Sequence, residues 1–137
     1  MRVVLDTNVI ISATFFGGLP LKILDAALDE KFVVCGNGEI VEEYLETASE
    51  MIAKRKGHIN NAIFAQFIDT IEISAPVSSV KICRDPDDDK FINCAIDAKD
   101  IYIVSGDNDL FSVEKYVDIE ILTVREFWER FQTGETG

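Results

Sequence analysis

Acidic residues stand in this chain at points where strands should end or helices begin. Asp6 follows the first apolar run, a group of aspartates surrounds Pro86, and Asp107 and Asp109 follow a later apolar run. If the apolar runs are parallel strands, their carboxyl ends gather these side chains into one crevice. Close carboxylates repel one another by roughly 4 kcal/mol per pair at an effective dielectric constant near 20. A hard divalent cation relieves this repulsion, so the pattern predicts bound Mg²⁺ or Mn²⁺.

Helical geometry sorts the aspartates of the segment 85–89. Asp85 followed by Pro86 is typical of a helix N-cap and first helical position. At about 100° per residue, the helix that follows has one apolar stripe, formed by Phe91, Ile92, Ala95 and Ile96. Asp88 precedes the first two members of the stripe by three and four residues, which places it over the middle of the stripe. Asp87 and Asp89 fall near the margins, where turn and helix-start chemistry is the usual role.

The elements that must position these residues alternate between strand and helix. Asn37 is expected to cap the third helix. The alternation predicts a central parallel sheet covered by helices on both faces, in one domain over residues 1–133 with a loose tail at 134–137. The predicted strands are 2–5, 32–35, 71–73, 101–104 and 118–122, and the predicted helices are 8–16, 20–31, 37–56, 60–69, 85–99 and 124–131.

The third predicted helix carries five glutamates. Glu39 and Glu46 face away from its apolar stripe, whereas Glu42 and Glu43 flank the stripe on opposite sides. A run of glutamates on one helix is usually a solvated face. Periodicity does not choose between Glu42 and Glu43 as a residue that faces the crevice.

The composition narrows the class of protein. The chain has 137 residues, of which 47% are apolar, and this argues against disorder. No apolar run approaches the roughly 18 residues that span a bilayer, and Asp6 comes too early for a signal peptide. The three cysteines have no C-x-x-C spacing. They are expected to be reduced, mostly buried thiols of a cytoplasmic protein without membrane association.

The net charge of −12 weighs against binding nucleic acid through a basic face. The one dense basic cluster, residues 54–56, is more typical of a solvated helix end, where the helix dipole favours cations. A bound metal ion would neutralise part of the acidic excess. The charge therefore weighs mildly against a nucleic-acid substrate without excluding it.

Several other kinds of catalytic site are excluded or disfavoured. The chain has one histidine, His58, in a polar stretch, and the serines have no histidine base to activate them. Neither a phosphate-binding loop of the P-loop type nor a dinucleotide-binding glycine motif occurs. These absences leave the carboxylates as the residues that could do chemistry.

Three motifs, in order, resemble those of PIN-domain nucleases. Residues 3–13 (VVLDTNVIISA) resemble the opening motif, residues 85–91 (DPDDDKF) with Ala95 the middle motif, and residues 103–110 (IVSGDNDL) the last motif. Residues 121–127 (ILTVREF) also resemble the ending of a prokaryotic branch described as toxins of toxin–antitoxin pairs. Each motif is short, but together they cover nearly the whole chain.

The resemblance implies a three-layer α/β/α sandwich and a Mg²⁺- or Mn²⁺-dependent ribonuclease. Its choice of Asp88 agrees with the helical-face argument, whereas its choice of Glu43 over Glu42 comes from the resemblance alone. Ser105 stands where threonine is common and keeps the hydroxyl. The implied catalytic acids are Asp6, Glu43, Asp88 and Asp107, the implied metal ligands are Asp6, Asp88, Asp107 and Asp109, and the residues expected to orient carboxylates or water are Asn8 and Ser105.

Three alternatives stay open. A phosphatase of the haloacid-dehalogenase type shares a motif like that at 106–109, but it needs an aspartate at the position of Asn8. A receiver-type signalling domain also gathers aspartates around Mg²⁺, but the expected phospho-accepting aspartate and lysine are not evident. A PIN fold that acts as a binding module, with weak or no catalysis, is consistent with the acidic charge.

The resemblance also predicts partners. They are an RNA substrate, a cognate antitoxin that presents an arginine to the carboxylates, and a second copy of the chain in a homodimer or higher oligomer.

Overall fold

A computed structural model describes residues 1–55, 61–99, 101–106, 115–116 and 119–134. Within these residues one sheet has the strand order β3-β2-β1-β4-β6-β5. Its strands are β1 (Arg2–Leu5), β2 (Val33–Gly36), β3 (Glu72–Ile73), β4 (Ile101–Val104), β5 (Lys115–Tyr116) and β6 (Ile119–Leu122). The α-helices are α1 (Thr7–Phe16), α2 (Gly18–Leu28), α3 (Gly38–Arg55), α4 (Asn61–Thr70), α5 (Asp89–Ala98) and α6 (Val124–Thr133).

The strands β1, β4 and β6 end at the same level. Leu5 pairs with Val104, and Val104 pairs in turn with Leu122, all in parallel. The backbone hydrogen bonds between the strands continue one residue beyond them. The amide of Asp6 donates to the carbonyl of Val104 at 3.0 Å, and the amide of Ser105 donates to the carbonyl of Leu122 at 2.9 Å. Asp6 and Ser105 therefore lie side by side at the carboxyl edge of the sheet.

The core explains why the chain folds this way. Residues 3–5 of β1 are fully buried, as expected for a central strand that helices cover on both faces. Helix α5 packs on β1, β2 and β4, whereas α6 packs on β6 and against α2. The predicted α/β fold with a central parallel sheet is confirmed.

Some boundaries differ from the sequence-based expectation. Helix α2 was expected to reach Lys31 but ends at Leu28, and Glu30 beyond it adopts a left-handed conformation with φ of 60°. The antiparallel edge strand β5 was not anticipated. It has two residues, too few to show a period of two. The predicted tail at 134–137 lies, apart from Gly134, outside the described residues, as does His58.

The chain between β3 and α5 is fastened along one side of α5. We call residues 77–83 the strap. Asp97 accepts hydrogen bonds from the amides of Val77 (2.9 Å) and Ser78 (3.0 Å), and Asn93 exchanges two with the backbone of Val80. Asp89 completes the row by accepting from the amides of Ile82 (3.0 Å) and Cys83 (2.8 Å). These three side chains are spaced four residues apart and therefore lie on one face of α5. Their hydrogen bonds hold the strap along this face and so set the direction in which the chain enters α5.

Among the described residues, no single helix is long and apolar enough to cross a membrane. Taken together, α1 and α2 are long and apolar enough to do so, by length and composition only, but the two helices are bent by 102° relative to each other.

Candidate metal and active site

Asp6 is a buried carboxylate held at the end of β1. Its side chain is 4% exposed, and its Oδ2 accepts a hydrogen bond of 2.7 Å from the hydroxyl of Ser105, which is fully buried. The backbone beside it is tied down, since the hydroxyl of Tyr44 in α3 donates to the carbonyl of Leu5. Burial raises the pKa of Tyr44 well above its ordinary value, and the nearby charge of Asp6 adds to the effect. The residue after β4 thus holds the Asp6 side chain, and α3 holds the backbone directly before it.

Asp88 is the second buried carboxylate. The side chain of Asp85 accepts from the amide of Asp87 at 3.0 Å, and Pro86 opens a 3₁₀ turn that ends at Asp88, directly before α5. Asp88 is 7% exposed, whereas Asp87 is exposed. The helical-face prediction for Asp88 is therefore confirmed.

Asp89 departs from the expectation that it would lie at the margin of the apolar stripe, because it is buried as well. Its carboxylate turns to the strap. Burial acts to raise its pKa, but hydrogen bonds from the amides of Cys83 and Ile82 outweigh burial and lower the pKa. Asp89 therefore serves as an anchor for the strap.

The sheet topology brings Asp6 and Asp88 to the same edge. Strands β3, β2, β1 and β4 are all parallel, so the chain between β3 and β4 must return across the sheet. Helix α5 leads directly into β4 and therefore begins near the carboxyl edge. Asp88, at the start of α5, accordingly lies at the edge where Asp6 and Ser105 follow their strands.

Glu43 reaches the same edge from α3. Its Oε2 accepts a hydrogen bond from the hydroxyl of Thr7, and its Oε1 lies 2.6 Å from Nζ of Lys90 in α5. Glu42, one residue earlier, is exposed. Of the two glutamates that periodicity left open, Glu43 is the one that contacts Thr7, adjacent to Asp6, and Lys90, two residues after Asp88.

Lys90 is a cation at an unusual place. It stands in the first turn of α5, where the helix dipole disfavours positive charge, and its side chain is 9% exposed. Burial acts to lower its pKa, but the hydrogen bond and the charge of Glu43 outweigh burial, and the pKa is raised. Glu39 and Asp87 contribute smaller effects in the same direction. Lys90 is therefore a charged ammonium at the crevice.

The remaining predicted residues divide into two groups. Asn8 is exposed in the first turn of α1, whereas Ser105 is buried and contacts Asp6. Asp107 and Asp109 lie outside the described residues. They follow Ser105 by two and four positions in the chain, so their proposed role remains a prediction.

The donor chemistry at this edge suits a hard cation. The carboxylates of Asp6, Glu43 and Asp88 and the hydroxyls of Thr7 and Ser105 are all oxygen donors, which Mg²⁺ and Mn²⁺ prefer. Among the residues that the structure describes, no three acidic, histidine or cysteine side chains form a metal-binding group. Asp6 and Asp88 would therefore need a further ligand, and Asp107 and Asp109 are the candidates from the sequence.

The contacts of Lys90 and of the Tyr44 hydroxyl at this edge are not predicted by the sequence analysis. Tyr44 stands at helical spacing with the apolar residues Ile40 and Ala48, and nothing in this spacing indicates that its hydroxyl bonds to Leu5. For Lys90 a signal existed, because a lysine in the first turn of a helix opposes the dipole and calls for a nearby acid.

Comparisons with known proteins identify the family of this chain. A family model for the PIN domain matches residues 2–109. A Methanocaldococcus jannaschii protein named "Uncharacterized protein MJ1680" is 38% identical over 96% of this chain and 92% of its own length.

A solved PIN domain, that of T. brucei RRP44, shares the fold. It has a TM-score of 0.50 at 15% identity, over 98% of this chain and 83% of that structure. These matches give no support to the phosphatase alternative. The chain belongs to the PIN-domain family, whose fold is generally that of metal-dependent nucleases.

Proposed function

We propose that this protein is a Mg²⁺- or Mn²⁺-dependent ribonuclease that hydrolyses RNA phosphodiester bonds. The observation that carries the proposal is the burial of two carboxylates, Asp6 and Asp88, at one edge of a parallel sheet. Carboxylate oxygens at such an edge are the ligands that Mg²⁺ and Mn²⁺ prefer. A protein that keeps two acids there, with a third in Glu43, is suited to holding a divalent cation.

The residues of the chain have separate tasks in this proposal. Asp6 and Asp88 would hold the cation with Asp107 and Asp109, and Ser105 restricts the orientation of the Asp6 carboxylate through its hydrogen bond to Oδ2. A bound Mg²⁺ or Mn²⁺ would lower the pKa of its water and offer positive charge to a phosphate. This positive charge also reconciles an RNA substrate with a net charge of −12.

The experiment compares two neighbouring aspartates. Purified wild type, Asp88→Asn and Asp87→Asn are incubated with a labelled structured RNA in Mn²⁺, Mg²⁺ or EDTA. Asp87 is the matched control, because it is exposed and undergoes the same chemical change. Cutting that needs metal, disappears in Asp88→Asn and persists in Asp87→Asn supports the nuclease. Equal cutting by all three proteins indicates a contaminating enzyme and contradicts the proposal.

A second candidate is a PIN-fold binding module without catalysis, which the net charge of −12 favours. It predicts no cutting of several unrelated RNAs by wild type, together with tight binding of a partner by mass spectrometry of complexes purified from the native host. The ribonuclease predicts cutting of at least one RNA.

Within the nuclease proposal, we infer a role as the toxin of a toxin–antitoxin pair in the cytoplasm. The sequence at 121–127 supports the branch, and the buried thiols of Cys35 and Cys94 suit a reducing compartment. An antitoxin would place an arginine against the carboxylates. Growth arrest on expression of wild type, but not of Asp88→Asn, would support the toxin role.

A second copy of the chain is the other partner expected. Light scattering of the purified protein gives its mass in solution, and twice the mass of one chain would support a homodimer.

A further inference from the structure

We propose that Lys90 is a positioning residue of the candidate site, which acts by holding the carboxylate of Glu43 in the crevice. Its importance for cleavage depends on the proposed ribonuclease function, whereas the positioning itself does not. Three elements meet at this carboxylate: Glu43 comes from α3, Lys90 from α5 and Thr7 from α1.

Both carboxylate oxygens of Glu43 have a hydrogen-bonding partner. Lys90 binds Oε1 at 2.6 Å, and the hydroxyl of Thr7 donates to Oε2. A glutamate has three side-chain torsions, and a single contact leaves some of them free. Two contacts on opposite oxygens select one orientation of the side chain. In this orientation the carboxylate lies between Thr7, which follows Asp6, and Lys90 in the first turn of α5.

The placement of Lys90 is unfavourable without Glu43. A mostly buried ammonium at a helix N-terminus faces both the cost of burial and the positive end of the dipole. A surface helix would satisfy this position better with an acid or a neutral polar residue. Glu43 supplies the compensating charge, and the half-buried state of its side chain, 28% exposed, weakens the screening of the pair by water.

Glu43 differs in its surroundings from the neighbouring glutamates of α3. Glu39, Glu42 and Glu46 are exposed on the same helix. Lys90 contacts Glu43 and gives this one glutamate a defined place. The ion pair therefore distinguishes the site glutamate from the solvated ones.

One readout needs neither metal nor RNA. The ¹³C resonance of the Glu43 carboxylate is assigned by its loss in Glu43→Gln and followed in Lys90→Met, Lys90→Arg and Thr7→Val. Lys90→Met should shift this resonance toward that of exposed glutamates, and Lys90→Arg should restore it, because a guanidinium also binds carboxylate. An unchanged resonance in Lys90→Met overturns the proposal. Lys90→Gln keeps the proposal testable if Lys90→Met does not fold, since it also removes the ammonium group and should move the resonance in the same direction. Thr7→Val shows the separate effect of losing the opposite contact.

A second readout is cleavage kinetics. Lys90→Met should lower kcat about tenfold or more with KM for RNA nearly unchanged, and should lower it no further in a Glu43→Gln background, since residues that act as a unit are not additive. Lys90→Arg should recover most of the rate. Lys22→Met, at an exposed lysine of α2, is the control for loss of one positive charge. A raised KM and an additive loss in the double variant would show that Lys90 contacts the RNA phosphate instead, and would overturn the positioning role.

The two readouts separate the two proposals. If wild type cleaves no RNA while the Glu43 resonance responds as expected, the ribonuclease fails and the positioning stands. If wild type cleaves and the resonance does not respond to Lys90→Met, the positioning fails and the ribonuclease stands.

Discussion

The hydroxyl of Ser105 donates a hydrogen bond of 2.7 Å to Oδ2 of Asp6, and the two residues stand 99 positions apart in the chain. Both are buried, and each directly follows a central strand of the sheet. The backbone hydrogen bond from Asp6 to Val104 holds the two strand ends together, so the side chains meet without further adjustment.

Replacement of Ser105 by alanine should destabilise the protein and weaken the site. A hydrogen bond to a charged group contributes about 1.5–3 kcal/mol, and its loss also frees Asp6 to change orientation. We expect the free energy of unfolding in urea to fall by an amount in this range, and cleavage to fall with it. Ser105→Thr keeps the hydroxyl and should stay near wild type. An alanine variant as stable as wild type would show that this bond contributes nothing.

Replacement of Asp88 by asparagine should raise the melting temperature of the metal-free protein and reduce the further rise that metal causes. Asparagine at this position removes one of the two buried carboxylate charges at this edge and the free-energy cost of burying it, so the melting temperature in EDTA should rise above that of wild type. The rise in melting temperature on adding Mn²⁺, expected for a ligand that binds the folded state, should shrink or vanish. Differential scanning fluorimetry measures both effects, and Asp87→Asn should show neither. A wild type whose melting temperature ignores Mn²⁺ and Mg²⁺ would contradict the metal site.

Low pH should destabilise the protein by protonating Asp89 and Asp97, the two carboxylates that bind the strap. Burial acts to raise the pKa of Asp97, as of Asp89, but hydrogen bonds from the strap outweigh it and lower both pKa values. A carboxyl group whose pKa is lower in the folded state contributes stability above its unfolded pKa of about 3.9, and this contribution is lost as pH falls through the folded value. The stability of wild type should therefore decline below about pH 4, and the decline should be shallower in Asp89→Asn and Asp97→Asn. Urea midpoints between about pH 2 and 6 measure it, with Asp87→Asn expected to follow wild type.

Replacement of Asn93 by alanine should free the middle of the strap. Asn93 is bound to both the amide and the carbonyl of Val80, and each ordinary hydrogen bond contributes about 0.5–1.5 kcal/mol. We expect faster hydrogen exchange at the amide of Val80 and faster proteolysis within residues 77–83, with exchange in β1 unchanged. Equal exchange rates in the variant and wild type would show that the flanking anchors at Asp89 and Asp97 suffice.

The sequence by itself determined the features that depend on neighbours along the chain. The order of strands and helices follows from apolar runs and turn residues, and the inward direction of Asp88 follows from its spacing to Phe91 and Ile92. The caps at Asn37 and Asp85 were also predictable, because an N-cap bonds to an amide two or three residues ahead.

Tertiary structure decided the features that depend on contacts between distant elements. Glu42 and Glu43 are equivalent by periodicity, and the packing of α3 beside α1 and α5 alone turns Glu43 toward Thr7 and Lys90. The short strand β5 was invisible for a related reason, since a two-residue strand is defined by its partner β6 and not by a pattern of its own. Side-chain periodicity specifies which face of an element is buried, whereas the identity of the residue that meets that face depends on how the elements pack.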